Sequence, residues 1–186
     1  MRNNIKELSL NILDIAENSI RAGADLIKIS LTEEGALLTV TVEDNGCGMS
    51  DEVLQNVQNP LYTTRNTRHG GMGIPLFKAE AEKTGGHFKI VSKTACQSHG
   101  TAVTATFRKN HPNFKPIGKI EDTVAAVITG NPDGDLIFTH KTQNGEVLLD
   151  TRSLRRILNG VPLNNCEVIG WVKEYLKKQY RLLQNI

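Results

Sequence analysis

From Ile5 to Gly23 the apolar and polar residues recur with a helical period. At about 100° per residue, Ile5, Leu8, Ile12, Ile15, Ala16 and Ser19 fall on one face. Asp14, Asn18 and Arg21 take the opposite face at i, i+4 and i+7, with Glu17 beside them, and Gly23 supplies the stop. Residues 26–31 (LIKISL) and 36–43 (ALLTVTVE) change to a two-residue period, which predicts a hairpin turned through Glu33-Glu34-Gly35. A short helix over 51–57, a polar and turn-rich segment over 58–71, and a helix from Gly73 to about Lys83 follow. A connection that long inside a compact domain more often carries a function than mere slack. Gly85-Gly86 then turns the chain into strand 87–93, and a loop ending at His99-Gly100 leads to strand 101–107.

At residues 109–116 (KNHPNFKP) the periodicity is lost, and we set the boundary there, between a domain over 1–110 and a smaller α+β region over 111–186. The second region predicts helix 119–129, strands 135–140 and 146–150 around Gln143-Asn144-Gly145, helix 151–158 and helix 165–184. The last helix sets Ile169, Val172, Leu176 and Tyr180 against Lys173, Lys177, Lys178 and Arg181, a basic face that reads as solvated surface.

Composition narrows the class. The 186 residues suit one domain, or one with a small appendage. Hydrophobic residues at 39% and charged residues at 23% exclude a disordered chain, and aromatics at 5% leave the core to Ile, Leu, Val and Ala. A net charge of +2 with no dominant basic stripe argues against a nucleic-acid partner. Cys47, Cys96 and Cys166 lack any CxxC spacing and read as reduced thiols. No apolar run is long enough for a membrane span and Met1-Arg2-Asn3-Asn4 does not open a signal peptide, so the expectation is a cytoplasmic protein. The five histidines show no metal spacing; His111 and His140 are candidate phosphoacceptors, although ordinary surface histidines explain them as well.

Three features carry chemistry. On the helical stripe, the amide oxygen of Asn18 suits a magnesium ion, which takes hard oxygen ligands and usually bridges protein and phosphate. Arg21, one turn on, suits phosphate oxygens, and Asp14, one turn back, suits holding a water for attack. The plainer alternative is the wet face of an amphipathic helix. Asp44 closes a well-alternating strand and leads into Gly46-Cys47-Gly48. A carboxylate there can accept the amino proton of a flat base that glycines allow to approach, or the segment is simply turn chemistry. Gly70-Gly71-Met72-Gly73 lies at a loop-to-helix junction, where free amides and the positive helix end favour phosphate, or where the chain merely hinges.

Taken together and in order, LDIAENSIRAGA, VEDNGCGM, NPLYTTRNTRHGGMGIPL and SHGTAVTATF resemble the four boxes of the GHKL ATPase superfamily over residues 5–108. That superfamily includes gyrase B subunits, heat-shock chaperone ATPases, sensor histidine kinases, MutL-type repair proteins and anti-sigma-factor serine kinases. The resemblance implies a Bergerat fold, a two-layer α/β sandwich with ATP between the helical layer and a lid over residues 58–70. It implies Asn18 as the magnesium ligand, Asp44 as the reader of adenine, and Gly46, Gly48, Met49 and Thr101 around the base. It further implies Arg21, Gly70, Gly71, Met72 and Gly73 on the phosphate side, Thr63, Thr64 and Ile74 among the ATP-binding residues, and Asp14 or Glu17 orienting the nucleophile.

Two positions depart from the pattern. Members that hydrolyse ATP usually carry Glu four residues before the asparagine, where this chain has Asp14. The shorter side chain withdraws the carboxylate by roughly 1 Å, a displacement that can cost on the order of a hundredfold in rate. Glu17 points about 60° around the helix from it. Pro75 stands where many members have a third glycine, as in anti-sigma kinases.

Sensor kinases place a phosphoacceptor helix pair ahead of this domain, and here only a few residues precede the first helix, which argues for a stand-alone module. The 76 residues after 110 hold ten Lys/Arg against eight Asp/Glu, which argues against a DNA-facing repair protein. The expectation is therefore an ATP-dependent protein kinase or ATPase acting on an unidentified protein partner, with a homodimer left open. The alternative is a nucleotide-gated adaptor with little turnover.

Overall fold

The computed structural model describes residues 7–58, 73–95 and 98–184. Along the chain run α1 (Leu8–Arg21), β1 (Leu26–Glu34), β2 (Leu37–Asp44), α2 (Asp51–Asn56), α3 (Gly73–Lys83), β3 (Phe88–Ala95) and β4 (Ser98–Arg108). They are followed by α4 (Ile120–Gly130), β5 (Asp135–Thr142), β6 (Gly145–Asp150), α5 (Thr151–Leu158) and α6 (Cys166–Gln184). The strands form one six-stranded sheet in the order β3-β4-β2-β1-β5-β6. Neighbours are antiparallel except β1 and β5, which run parallel.

Alternation along the strands decides which side of this sheet is covered. Ile27, Ile29 and Leu31 of β1 share a buried face with Leu38, Val40 and Val42 of β2, Val103, Ala105 and Phe107 of β4, and Leu136 and Phe138 of β5. The apolar stripes of α1, α3, α4 and α6 pack onto that face in one continuous core. The opposite face carries hydroxyls, with Thr41 paired to Thr104 at 3.2 Å and Thr139 to Ser30 at 3.1 Å. The molecule is thus a two-layer α/β sandwich, the fold class expected from the sequence.

Several strands run further than their periodicity suggests. β1 continues to Glu34, and β4 begins at Ser98, inside what reads as a loop. Gly100 pairs with Lys93 at φ +131°, and a Cβ there would lie 2.0 Å from the Asp44 carbonyl oxygen. The glycine that signals a loop is required instead for β4 to pass close beside Asp44.

The segment around 109–116 leaves β4 and returns to the start of α1. Pro116 and Ile117 carbonyls accept from the Leu8 and Ser9 amides at 3.0 and 2.8 Å, satisfying helix-start donors. α4 then packs along α1, with Thr123 donating to the Ser9 carbonyl at 2.9 Å. β5 and β6 lengthen the same sheet beyond β1.

Candidate functional site

α1 arises where its sequence predicts, with Leu8, Ile12, Ile15, Ala16 and Ser19 buried; Ile5 lies outside the described residues. Gly23 follows in the left-handed conformation at φ +70°, ending the helix. Ser19 is the polar member of that apolar stripe, and its hydroxyl donates to Asp44 Oδ2 at 2.6 Å.

Asp44 sits at the end of β2, opposite Thr101 of β4. Its Oδ1 accepts from the Gly46 amide at 2.9 Å and from the Thr101 amide at 3.2 Å. The carboxylate is thereby fixed by α1, by its own turn and by β4. A carboxylate offers about four acceptor positions, so three internal donors leave capacity for one more.

The glycine turn is seated with little room. A Cβ on Gly46 would lie 2.7 Å from the Ala22 Cβ, and the Cys47 amide donates to the Ala22 carbonyl at 2.9 Å. Gly48 has φ +71°, and a Cβ there would come within 1.9 Å of the Lys93 carbonyl oxygen. The Met49 amide donates to Ser92 Oγ at 2.8 Å, and Ser92 Oγ lies 2.8 Å from Thr101 Oγ1. His99 Nδ1 is 2.8 Å from the Gly46 carbonyl. A carbonyl only accepts, so that nitrogen carries the proton.

On the outer face of α1, Arg21 donates through Nη2 to Asn18 Oδ1 at 2.5 Å and through Nη1 to Glu17 Oε2 at 3.3 Å. Asn18 retains a second lone pair on that oxygen. Asp14 is exposed and adjoins the start of α3, where a Cβ on Gly73 would lie 3.0 Å from the Asp14 Cβ. Ser19 meets Asp44 five residues further on, about 7.5 Å along the axis. The acidic turn and the start of α3 therefore flank the same stretch of one helix.

Asp14, Glu17, Asn18 and Arg21 thus lie on the helix that Asp44 and Gly46 adjoin at Ser19 and Ala22 and that Gly73 adjoins at Asp14, while Gly48, Met49 and Thr101 lie beyond, against Ser92, Lys93 and Asp44. Ile74 differs from a cleft residue, since its side chain is buried in the core beneath α3. Thr63, Thr64, Gly70, Gly71 and Met72 lie outside the described residues. Sequence reasoning missed Ser19, Ser92 and His99. A serine on an otherwise apolar stripe is a legible signal for the first, whereas the other two become visible only through strand register.

Residues 3–111 match the model of the histidine kinase-, DNA gyrase B- and HSP90-like ATPase family, more than half the chain. The chain belongs to that family. It accordingly carries an ATPase domain of the histidine-kinase type, which implies ATP binding.

Among curated proteins, sporulation kinase B of Bacillus subtilis (strain 168) is 27% identical over 110 residues, 58% of this chain and 25% of that protein. Sensor histidine kinase YcbM of the same organism is 30% identical over 113 residues, 57% of this chain and 35% of that protein. The chain therefore spans about a quarter to a third of the length of these relatives. Among solved structures, the mycobacterial sensor histidine kinase MprB is similar at a TM-score of 0.42 and 19% identity, over 53% of this chain and 67% of that one. No helix among the described residues is long and apolar enough to cross a membrane.

Proposed function

We propose that this chain binds Mg-ATP along the outer face of α1 and serves as an ATP-dependent protein kinase or ATPase toward a protein partner. The observation that carries this reading is Asp44, a carboxylate with three internal donors and acceptor capacity for one further donor, as an exocyclic adenine amine would supply. The glycines let the 46–48 turn pack closely beside that carboxylate, and Thr101 flanks it.

Asn18 fits a magnesium ion by its donor chemistry, because its amide oxygen is a hard, uncharged ligand with a lone pair to spare. When bound, the ion supplies charge neutralisation for the polyphosphate. Arg21, already braced by Glu17 and Asn18, offers its guanidinium to phosphate oxygens. Asp14 lies beside Gly73 at the start of α3, the glycine assigned to the phosphates, and it orients the attacking group.

Asp14 also motivates a second reading, an adaptor that orders around ATP and turns it over little. Its carboxylate reaches roughly one methylene less than glutamate would from the same position. Phosphate release and transfer of labelled phosphate to candidate proteins, measured with ATP and magnesium, separate the two. Turnover above background supports the enzyme; nucleotide binding without turnover supports the adaptor; absence of nucleotide binding refutes both.

A further inference from the structure

α6 is a 19-residue helix that lies against α4 and the β6 border of the sheet. Val168, Val172 and Leu176 are buried on its inner side. On the outer side Glu167, Gly170, Trp171, Glu174, Lys178 and Arg181 are exposed. At about 100° per residue these six fall within one arc of roughly 100°, and exposed Leu182 adjoins it beside Trp171.

Two members of this stripe have no explanation within one chain. Gly170 sits inside the helix, where glycine is unfavourable, and a Cβ there would meet nothing within 4 Å. No close approach inside the monomer calls for it. Trp171 is the chain's one tryptophan and is 52% exposed. Its ring is nonetheless held, stacked on Tyr175 with centroids 5.1 Å apart and planes at 14°, while the Tyr175 hydroxyl donates to the Leu148 carbonyl at 3.0 Å. A braced aromatic beside a gap in the helix surface suits a second helix: the ring anchors it and the gap admits one of its side chains.

Charge along the stripe selects which helix. Glu167 and Glu174 lie toward its start, Lys178 and Arg181 toward its end, while Lys173 is turned aside to Asp122 at 2.9 Å. Glu174 meets Lys177 at 2.9 Å on its own helix and feels Arg181 as well. A stripe acidic at one end and basic at the other complements itself when run antiparallel. A parallel copy would set Glu174 on Glu174 and Lys178 on Lys178.

We propose that the outer face of α6 is a homodimer interface, two copies of the helix lying antiparallel about a two-fold axis level with residue 176. At about 1.5 Å per residue, that one register places three contacts at once. Lys178 of the second copy comes level with Glu174, Arg181 of the second copy enters the gap at Gly170 between Glu167 and Glu174, and Leu182 of the second copy lies against Trp171. The two-fold repeats each contact, as an isologous interface requires. The basic end of α6, solvated in one chain, thereby faces the acidic end of another. Nucleotide takes no part, so the interface stands whether or not the chain turns over ATP.

The test is sedimentation velocity of the full chain without ATP, from about 1 to 500 μM, with Trp171 fluorescence followed over the same range. Dimerisation with a micromolar Kd is expected, accompanied by a blue shift of the emission as the ring leaves water. Trp171→Ala should raise Kd at least about tenfold. Glu174→Lys and Lys178→Glu should each raise it at least about fivefold by opposing like charges. Mixing these two single variants pairs lysines with glutamates, and the mixture should associate more tightly than either alone. The double variant, with the charges exchanged, should return to within about threefold of the parent. Melting temperatures of the dilute variants control for folding. A monomer at every concentration, dimerisation without an emission shift, an unchanged Kd in Trp171→Ala, or single variants whose mixture associates no better than its components would each overturn the assignment.

Discussion

The Ser19 hydroxyl donates to Asp44 Oδ2 over 2.6 Å, from a helix position whose neighbours on that face are apolar. One hydrogen bond thus couples the helix bearing Asn18 to the carboxylate assigned to the base. Asp44→Asn converts an acceptor into a donor and is expected to weaken ATP binding by about 1–3 kcal/mol. Ser19→Ala keeps the carboxylate but frees its orientation, and should cost about 1 kcal/mol of affinity. Calorimetry with ATP and magnesium measures both, and an unchanged affinity in Asp44→Asn removes the assigned role.

Asp14 separates chemistry from binding. In Asp14→Asn, ATP affinity should stay within about twofold while phosphate release or phosphotransfer falls to background, a loss of at least roughly a hundredfold. A variant that still turns ATP over at the parent rate assigns the base to another group, with Glu17 the nearest candidate on the same stripe.

Gly48 is held in a conformation and a space that only glycine fits, at φ +71° with a Cβ position 1.9 Å from the Lys93 carbonyl. Gly48→Ala should destabilise the fold by about 3 kcal/mol and displace the turn next to Asp44, weakening ATP binding as well. Gly35 has φ +55° with nothing within 4 Å, so Gly35→Asn should cost under about 1 kcal/mol. Denaturant unfolding compares the pair; equal losses would contradict the crowding at Gly48.

His140 gives stability a pH dependence whose sign follows from burial. Desolvation pushes its pKa below the usual 6.5, against the opposing pull of Glu33. The groups facing it are Glu33 from β1, Lys109 beyond β4, Tyr180 from α6 and Glu121 from α4. Burial also raises the Tyr180 hydroxyl, keeping it neutral, and Lys109 and His140 overcome burial to hold Glu33 below 4.5. The unfolded chain therefore binds the histidine proton more readily. The neutral-His140 contribution is full above about pH 6.5 and lost as pH falls below it. Thermal melts between about pH 7.5 and 5 should show a falling midpoint, and His140→Gln should flatten that slope. His140 is correspondingly ill-suited as a phosphoacceptor, with both ring nitrogens engaged and the ring shielded.

Local periodicity made most of this architecture readable. α1 and the β1–β2 hairpin follow from Leu8, Ile12 and Ile15 and from the alternation through Ile27, Ile29, Val40 and Val42, because burial on one face imposes the period directly. The acid of Asp44 and the glycines around it were legible as chemistry for the same local reason. Pairings between distant segments were not. Nothing near Leu136 announces that β5 will align in parallel with Ile27, and nothing near Ser92 or His99 points to the 46–49 turn. His140 sits in a clean strand alternation, so its partners 40 and 107 residues away stay invisible until the chain folds.

The parallel seam between β1 and β5 has a practical reach. Leu26 through Thr32 each meet a counterpart from Asp135 through Lys141. Shortening the protein at residue 110 would strip that ladder from the interior and turn β1 into a bare border with unsatisfied amides and carbonyls. Such a border is a template for self-association. The stretch beyond residue 110 thus guards the edge of the ATPase domain, and trimmed versions should clump before they can report an affinity.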